Sequence, residues 1–478
     1  MSKDKLDILL VNVSYMNPVF GKRETTGDIF PPLGIVYLAT YLKKHNINVD
    51  ILDANALDMT DDEVSEFIKS KDSAIIGFTT TTIIMPNVIG ICNKIKRKDN
   101  IVIVGGPHAS AIPEDTLEEC ENIDVIVVGE GEITTLELIN KIKNNEKYDS
   151  VKGIVYRDGN SIKRTDPRGM IHDLDSLNFP DIDMLPLEKY RPAPIIDLGY
   201  AGEKFATIIT ARGCTGVCIF CASSSFWKRI RTRSAENILK EIDMLVKRGV
   251  KHIVIVDDTF TCYKPRLKEF CNAIIERKYD ISWNCYARVP DVDEEVLGLM
   301  KKAGCFFIFY GVESGSQEVL DRIKKMIKLE DAEKAVKLTK RAGIMANCAF
   351  MMGHPGETYE TMKMTLDFAI KLNPHMAEFY ITTPFPGTEL YQTCKENGWL
   401  GDRHWNDFTI HRKASLRTCD IDPPEIEKYV KYAYRKFYTR PKFALLSLDQ
   451  IIRNPRSIKL YKNCVKIYAN SVLRNRLP

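Results

Sequence analysis

No apolar run in these 478 residues approaches the ~20 needed to span a bilayer, and the polar start Met-Ser-Lys-Asp-Lys lacks the apolar core of a secretory signal. The expectation is a cytoplasmic protein. Excess charge is also lacking: the net charge of +4 is small for this length, and no nucleic-acid partner is expected. Histidine is scarce, eight in all, which limits imidazole-based metal sites and acid–base networks. With 44% hydrophobic and 28% charged residues, the composition is that of a globular protein with sizeable cores. At ~150 residues per domain the length predicts about three domains.

Thirteen cysteines in such a chain read as reduced thiols and a metal site, not as a disulfide framework. Three are concentrated: Cys214, Cys218 and Cys221 are spaced C-x3-C-x2-C, with Phe220 directly before the last. A β-type run, Ala206 to Thr210, feeds into them and a helical pattern starts at Ser234. The three therefore belong to a loop at the carboxyl end of a strand. Soft thiolates packed that closely suit a metal centre. Four would close the shell of a zinc or an ordinary iron–sulfur site. Three leave one iron of a [4Fe–4S] cluster without a protein ligand. A zinc site with a remote fourth ligand and three buried thiols are the plainer alternatives. The other ten cysteines (92, 120, 262, 271, 285, 305, 348, 394, 419 and 464) are scattered and read as buried free thiols, so one cluster is expected.

This spacing, with an aromatic before the last cysteine, resembles the radical S-adenosylmethionine (radical SAM) family. The resemblance implies that the open iron binds the amino and carboxylate groups of SAM and that an electron from the cluster cleaves SAM to a 5′-deoxyadenosyl radical. It makes Cys214, Cys218 and Cys221 both the metal ligands and the catalytic residues.

Ahead of the cysteines, apolar strands alternate with amphipathic helices over residues 1–145. Five strand–helix units predict a parallel sheet covered on both faces, a doubly wound, Rossmann-like domain with its ligand at the carboxyl ends of the strands. Loops at those ends carry Pro32 and Leu33, the run Thr79, Thr80, Thr81 and Thr82, then Gly105, Gly106, Pro107 and His108, and finally Gly129, Glu130, Gly131 and Glu132. Glycines admit close approach to a bulky ligand and free amides hold phosphate. In this order, before a radical SAM motif, the loops resemble the cobalamin-binding domain of the cobalamin-dependent radical SAM family. That family includes methyltransferases and the anaerobic magnesium-protoporphyrin ester cyclase. No histidine lies in an Asp-x-His-x-x-Gly context, so the resemblance implies cobalamin without a histidine axial ligand.

Residues 146–203 read as a linker with a hairpin around Asp158-Gly159-Asn160, followed by a proline-punctuated connector. Six strand–helix units over 204–390 fit a partial (β/α)6, TIM-type barrel with active residues at strand ends. Asp257 and Asp258 end the second strand, and Arg288 ends the third. Glu313 and Ser314 follow the fourth, and Gly353, Pro355 and Gly356 follow the fifth in GHPGET. With Phe220, these match the family's SAM contacts. A fork of hydrogen bonds from Arg288 to the SAM carboxylate is the expected pairing, with a surface salt bridge as its alternative.

Residues 391–478 read as a basic helical C-terminal domain. From Ile421 onward 13 Lys or Arg face 4 Asp or Glu, so this segment is more basic than the whole chain. It reads as a solvated cap or as a patch for anionic headgroups, that is, a peripheral membrane contact. The expected function is an oxygen-sensitive enzyme that generates the adenosyl radical and methylates an unactivated carbon through methylcobalamin. Oxidative cyclisation or ring rearrangement, a vestigial cobalamin domain, and a non-catalytic cobalamin sensor are the alternatives. Expected partners are a small-molecule or lipid-like substrate and an electron donor such as flavodoxin or ferredoxin.

Overall fold

The structure, a computed structural model, describes residues 5–15, 29–71, 73–96, 100–192, 203–401, 404–410, 414 and 421–453, with a few positions between 455 and 462. Cys419 and Cys464 lie outside the described residues. The chain divides into two units. One comprises Met1–Thr25, Ile29–Arg191 and His404–Asp407; the other comprises Thr26–Asp28, Pro192–Arg403 and Phe408–Pro478.

In the first unit, strands β1 (Leu6–Asn12), β2 (Val49–Asp53), β3 (Ser73–Thr79), β4 (Ile101–Gly105) and β5 (Val125–Val127) pair in parallel, in the order β2-β1-β3-β4-β5. This is a doubly wound order whose topological switch lies between β1 and β3. Both faces are covered, so the strands are apolar without alternation: Ile8, Leu9 and Val11 of β1 are wholly buried. Helix Asp61–Ser70 begins with a capping box between Thr60 and Glu63 and buries Val64 and Ile68. The hairpin expected in the linker is instead the outer edge of this sheet. Strands β6 (Ile154–Asp158) and β7 (Ser161–Arg164) continue it antiparallel from β5. The connector is tied down too, with the Tyr190 hydroxyl donating to Asp53 at the end of β2.

In the second unit, β8 (Lys204–Ile208) leads to a short antiparallel pair, β9 (Ala211–Arg212) and β10 (Arg231–Thr232). Strands β11 (Val250–Ile255), β12 (Ser282–Ala287), β13 (Cys305–Glu313), β14 (Met345–Met352) and β15 (Met376–Ile381) follow. With β8 they form a six-stranded parallel sheet in the order β15-β14-β13-β12-β11-β8, the open (β/α)6 arrangement. Helix Ala235–Lys247 starts at Ser234, whose side chain accepts from the Asn237 amide, and buries Ile238, Leu239, Ile242 and Leu245 at helical spacing. Each such side chain contributes ~1.5–3 kcal/mol by burial, so a charge at Ile242 would break the layer. An edge-to-face triangle of Phe260, Phe270 and Trp283 fills the core beneath β12.

An open parallel sheet leaves an unpaired edge, which invites another chain to pair. Helix Pro423–Tyr438 covers it. The Tyr434 hydroxyl accepts from the Phe379 amide at 3.1 Å, and the Tyr438 hydroxyl accepts from the Ala377 amide and donates to its carbonyl at 2.8 Å. The tyrosines interleaved in the basic tail thus serve β15. Among the described residues no helix is long and apolar enough to cross a membrane.

Candidate cluster and cobalamin sites

The β9–β10 pair closes the base of the cysteine loop. Gly213, φ +97°, starts it in the left-handed region, and a Cβ there would lie 2.7 Å from the Arg229 carbonyl. Inside the loop the Gly216 amide donates to Cys214 Sγ at 3.3 Å and the Cys221 amide to the Cys218 carbonyl at 3.1 Å. A Cβ built on Gly216 would lie 3.5 Å from Cys214 Sγ, 3.6 Å from Cys218 Sγ and 3.8 Å from Arg288 Nη1. Two thiols and a guanidinium therefore face one another across a glycine. The loop is anchored outside: Ile219 N–H donates to the Ile323 carbonyl at 3.1 Å, and its own carbonyl accepts from Leu390 N–H at 2.9 Å. Phe220 packs with Ile219 and Trp399 against buried Leu390 and Cys394.

These residues fit a [4Fe–4S] cluster. The donors are three soft, half-buried thiols on one loop. Among the described residues no three His, Cys, Asp or Glu side chains gather around the position of a single ion. A cluster does not require that, because each thiolate binds its own iron. Burial raises the Cys218 thiol, with Lys325 the strongest of the charges opposing this, and burial pushes Cys221 up to about 11. Loading must therefore release protons.

The strand-end residues differ in how fully the protein itself engages their polar groups. Asp257 is engaged within the protein. It is buried, and it accepts from the Thr210 amide at 2.6 Å, the Ala211 amide at 3.0 Å and the Thr210 hydroxyl. Burial, against the nearby Arg266, raises its pKa to about 6. Its carboxylate stitches β11 to the entrance of the cysteine loop. Asp258 bonds the Ser223 hydroxyl at 2.6 Å, just past Cys221. The Ser314 hydroxyl is likewise buried, against Thr365 at 3.1 Å, and accepts from the Ser316 amide.

Arg288 is not a surface ion pair. Its Nη1 donates to Thr215 Oγ1 at 3.0 Å and its Nη2 to the Lys325 carbonyl at 3.2 Å, so the guanidinium lies along the cysteine loop. Glu313 holds a left-handed backbone, φ +71°, and its carboxylate meets Lys325 Nζ at 2.7 Å. After β14, Gly353 (φ +93°) and Gly356 (φ +73°) shape a turn held by Glu357, which accepts from the Gly353 amide at 2.7 Å and the His354 amide at 2.9 Å. The Pro355 carbonyl accepts from Arg322 at 3.1 Å. The His354 ring lies 5.6 Å from that of Phe220, and burial lowers its pKa to about 3, so it is neutral. Lys325 escapes sequence reasoning, because a lysine in a basic run carries no signal, whereas His354 and Glu357 fall inside the GHPGET stretch without being singled out.

In the first unit the expected loops gather at the carboxyl ends of the strands. Gly106, φ +98°, is required because a Cβ would lie 2.6 Å from both the amide and the carbonyl of Thr80. The amide and hydroxyl of Thr80 both donate to the Gly105 carbonyl at 2.8 Å, joining β3 to β4. Glu130 accepts from the Ile171 amide at 2.7 Å. Glu132 is buried in the first turn of helix Gly131–Lys143, and Leu33 is buried at the start of helix Leu33–Lys44. The Gly129 amide donates to Ser110 Oγ at 3.0 Å. His108, just after Pro107, is buried with Nδ1 3.2 Å from Thr82 Oγ1, and its Nε2 has no partner among the described atoms. Burial lowers its pKa to about 4. Trp405 packs edge-on against it at 5.0 Å and donates its indole N–H to Glu119 at 2.9 Å. Gly106, pressed onto the Thr80 backbone, fixes the loop after β4, and the unpartnered His108 nitrogen on that loop fits a large polar ligand such as the cobalamin nucleotide.

Comparison with known proteins agrees. The Radical SAM superfamily model matches residues 208–369, and the B12 binding domain model matches residues 23–139. An uncharacterized methyltransferase of Pyrococcus horikoshii is 34% identical over 424 residues, covering 88% of this chain and 90% of the relative. The anaerobic magnesium-protoporphyrin IX monomethyl ester cyclase of Rubrivivax gelatinosus is 30% identical over 476 residues, covering 97% and 82%. Among solved structures the fold resembles the cobalamin-dependent radical SAM enzyme OxsB, with TM-score 0.71, 20% identity, and 96% and 72% coverage. It also resembles the radical SAM methyltransferase TsrM of Kitasatospora setae, with TM-score 0.66, 20% identity, and 82% and 74% coverage. The chain belongs to the cobalamin-dependent radical SAM family, an enzyme family whose cofactors are a [4Fe–4S] cluster, SAM and cobalamin.

Proposed function

We propose that this enzyme transfers a methyl group to an unactivated carbon of a small molecule. The observation that carries the reading is the pairing of an intact three-thiol loop with a doubly wound domain that matches the B12 binding domain model, in a chain similar over most of its length to a protein described as a methyltransferase. When bound, the cluster and SAM supply a carbon-centred radical and cobalamin supplies the methyl group. The chain's own residues hold and orient: Cys214, Cys218 and Cys221 bind the cluster. Arg288 offers the SAM carboxylate a forked donor, and Glu313 accepts from ribose hydroxyls. Phe220, neutral His354 and the Gly353–Gly356 turn line the adenine side. In the first unit, the Gly106–His108 loop after β4 is the element proposed to meet the nucleotide, with His108 Nε2 as donor or acceptor. Flavodoxin or ferredoxin in a reducing cytoplasm is the proposed electron source.

The test is anaerobic incubation of reconstituted enzyme with reductant and methyl-labelled SAM. Formation of 5′-deoxyadenosine together with a product heavier by one labelled methyl supports the reading. A product that instead gains oxygen or loses hydrogen favours the second reading, oxidative cyclisation, which is motivated by similarity to the ester cyclase over 97% of this chain. Absence of 5′-deoxyadenosine from a fully loaded enzyme with bound substrate would sink both.

A further inference from the structure

The corner Ile323–Lys325 bonds the cysteine loop, Arg288, Glu313 and Glu389. The Ile323 carbonyl accepts from Ile219 N–H, between Cys218 and Cys221. Lys324 Nζ bonds both oxygens of Glu389 at 2.7 Å, one residue before the Leu390 amide that holds the Ile219 carbonyl. The Lys325 carbonyl accepts from Arg288. Lys325 Nζ meets Glu313 at 2.7 Å, with the two residues 8% and 6% exposed.

Two features show that this arrangement is specified. Glu313, Lys324 and Met326 all adopt left-handed backbone, φ +71°, +53° and +55°. Such residues cost on the order of 1–3 kcal/mol each and persist where the surroundings over-determine them, commonly at functional sites. Gly311 supplies the space: a Cβ there would lie 2.8 Å from Lys325 Nζ and overlap Glu313 Oε1. A buried ion pair is a poor source of stability compared with apolar packing, so its presence points to a use for the charge.

We propose that Lys325 is a positioning residue of the radical site: it fixes the Glu313 carboxylate for the adenosyl ligand and places a buried positive charge beside the cysteine loop. This rests on the cluster occupying that loop. A cluster gains one negative charge on reduction, and a cation close by in a site of low dielectric stabilises the reduced form. Lys325 therefore raises the cluster's reduction potential, and it keeps Glu313 from adding a net negative charge there.

The experiment compares reconstituted wild type with Lys325→Met, Lys325→Arg and the paired Glu313→Gln/Lys325→Met variant. The readouts are the cluster's midpoint potential, from a redox titration followed by electron paramagnetic resonance, and the SAM dissociation constant. In Lys325→Met the potential shifts negative and SAM binding weakens ~10–100-fold, the usual scale for a residue supporting a metal site. Lys325→Arg keeps the potential near that of wild type. The paired variant, which buries no lone charge and so folds even where Lys325→Met does not, returns the potential toward wild type but still binds SAM weakly. Unchanged potential and SAM affinity in Lys325→Met would overturn the proposal. So would wild-type SAM affinity in the paired variant. A wild-type protein that assembles no cluster overturns the family's cluster assignment itself, a result recognised by iron and sulfide content before any variant is compared.

Discussion

The Asp257 carboxylate accepts from the Thr210 amide at 2.6 Å, fastening the end of β11 to the residue that precedes β9. Arg266 supports the same point by donating to the Thr210 carbonyl at 2.8 Å. Replacing Asp257 with Ala leaves the buried amides of Thr210 and Ala211 without an acceptor, at ~1–3 kcal/mol per group. The expected outcome is a lower unfolding midpoint and a large loss of bound iron after reconstitution, with Asp257→Asn milder on both counts.

Each cluster thiol is needed separately. Cys214→Ala, Cys218→Ala and Cys221→Ala should each abolish cluster assembly and 5′-deoxyadenosine formation, read from iron content and product analysis. Cys271→Ala and Cys348→Ala remove buried thiols outside the loop and should leave iron content unchanged.

Gly106→Ala places a Cβ 2.6 Å from backbone atoms of Thr80 in a conformation that alanine resists. A cost on the order of 1–3 kcal/mol and a loss of cobalamin binding are expected, measured by thermal unfolding and by the cobalamin absorption of anaerobically loaded protein. Iron content should be retained, because the cysteine loop lies in the other unit.

Glu357 makes stability depend on pH. Burial raises its carboxyl to about 7, despite the amides of His354 and Gly353 that favour the charged form. Because the folded pKa exceeds the unfolded value, the contribution is full below the unfolded pKa near 4.5 and is lost as pH rises through about 7. Relative to Glu357→Gln, the wild type should therefore weaken between about pH 4.5 and 7 by roughly 3 kcal/mol, read from denaturant midpoints of the two proteins across that range.

The tail's tyrosines make a separable prediction. Tyr434→Phe removes the acceptor for the buried Phe379 amide and should cost ~1–3 kcal/mol in an unfolding experiment, with cluster content unaffected. If the basic residues beyond Ile421 also meet a membrane, the full chain should co-sediment with anionic liposomes in preference to neutral ones. Equal binding to both would remove that idea.

Local chemistry was legible before tertiary structure. A C-x3-C-x2-C run after a strand concentrates donors whose character does not depend on distant residues, and unbroken apolar strands between amphipathic helices have few folds open to them. Orientation was not legible. Asp257 and Asp258 are adjacent, yet successive residues at a strand end point in opposite directions, so one is buried under Thr210 while the other faces Ser223. The hairpin at Asp158-Gly159-Asn160 is visible as a turn, but its pairing with β5 is a long-range choice that no local signal encodes.

The sequence by itself therefore determined the cysteine set and the two successive parallel sheets, because these follow from residue type and periodicity, while the cofactor of each domain was legible only through family resemblance. Only the tertiary structure decided which charges serve the cluster. Lys325 lies in the basic run Arg322–Lys328 with nothing local to mark it. It becomes part of the site because β13 ends in a left-handed glutamate and the next corner turns the lysine back onto that carboxylate, a contact made by folding and buried there.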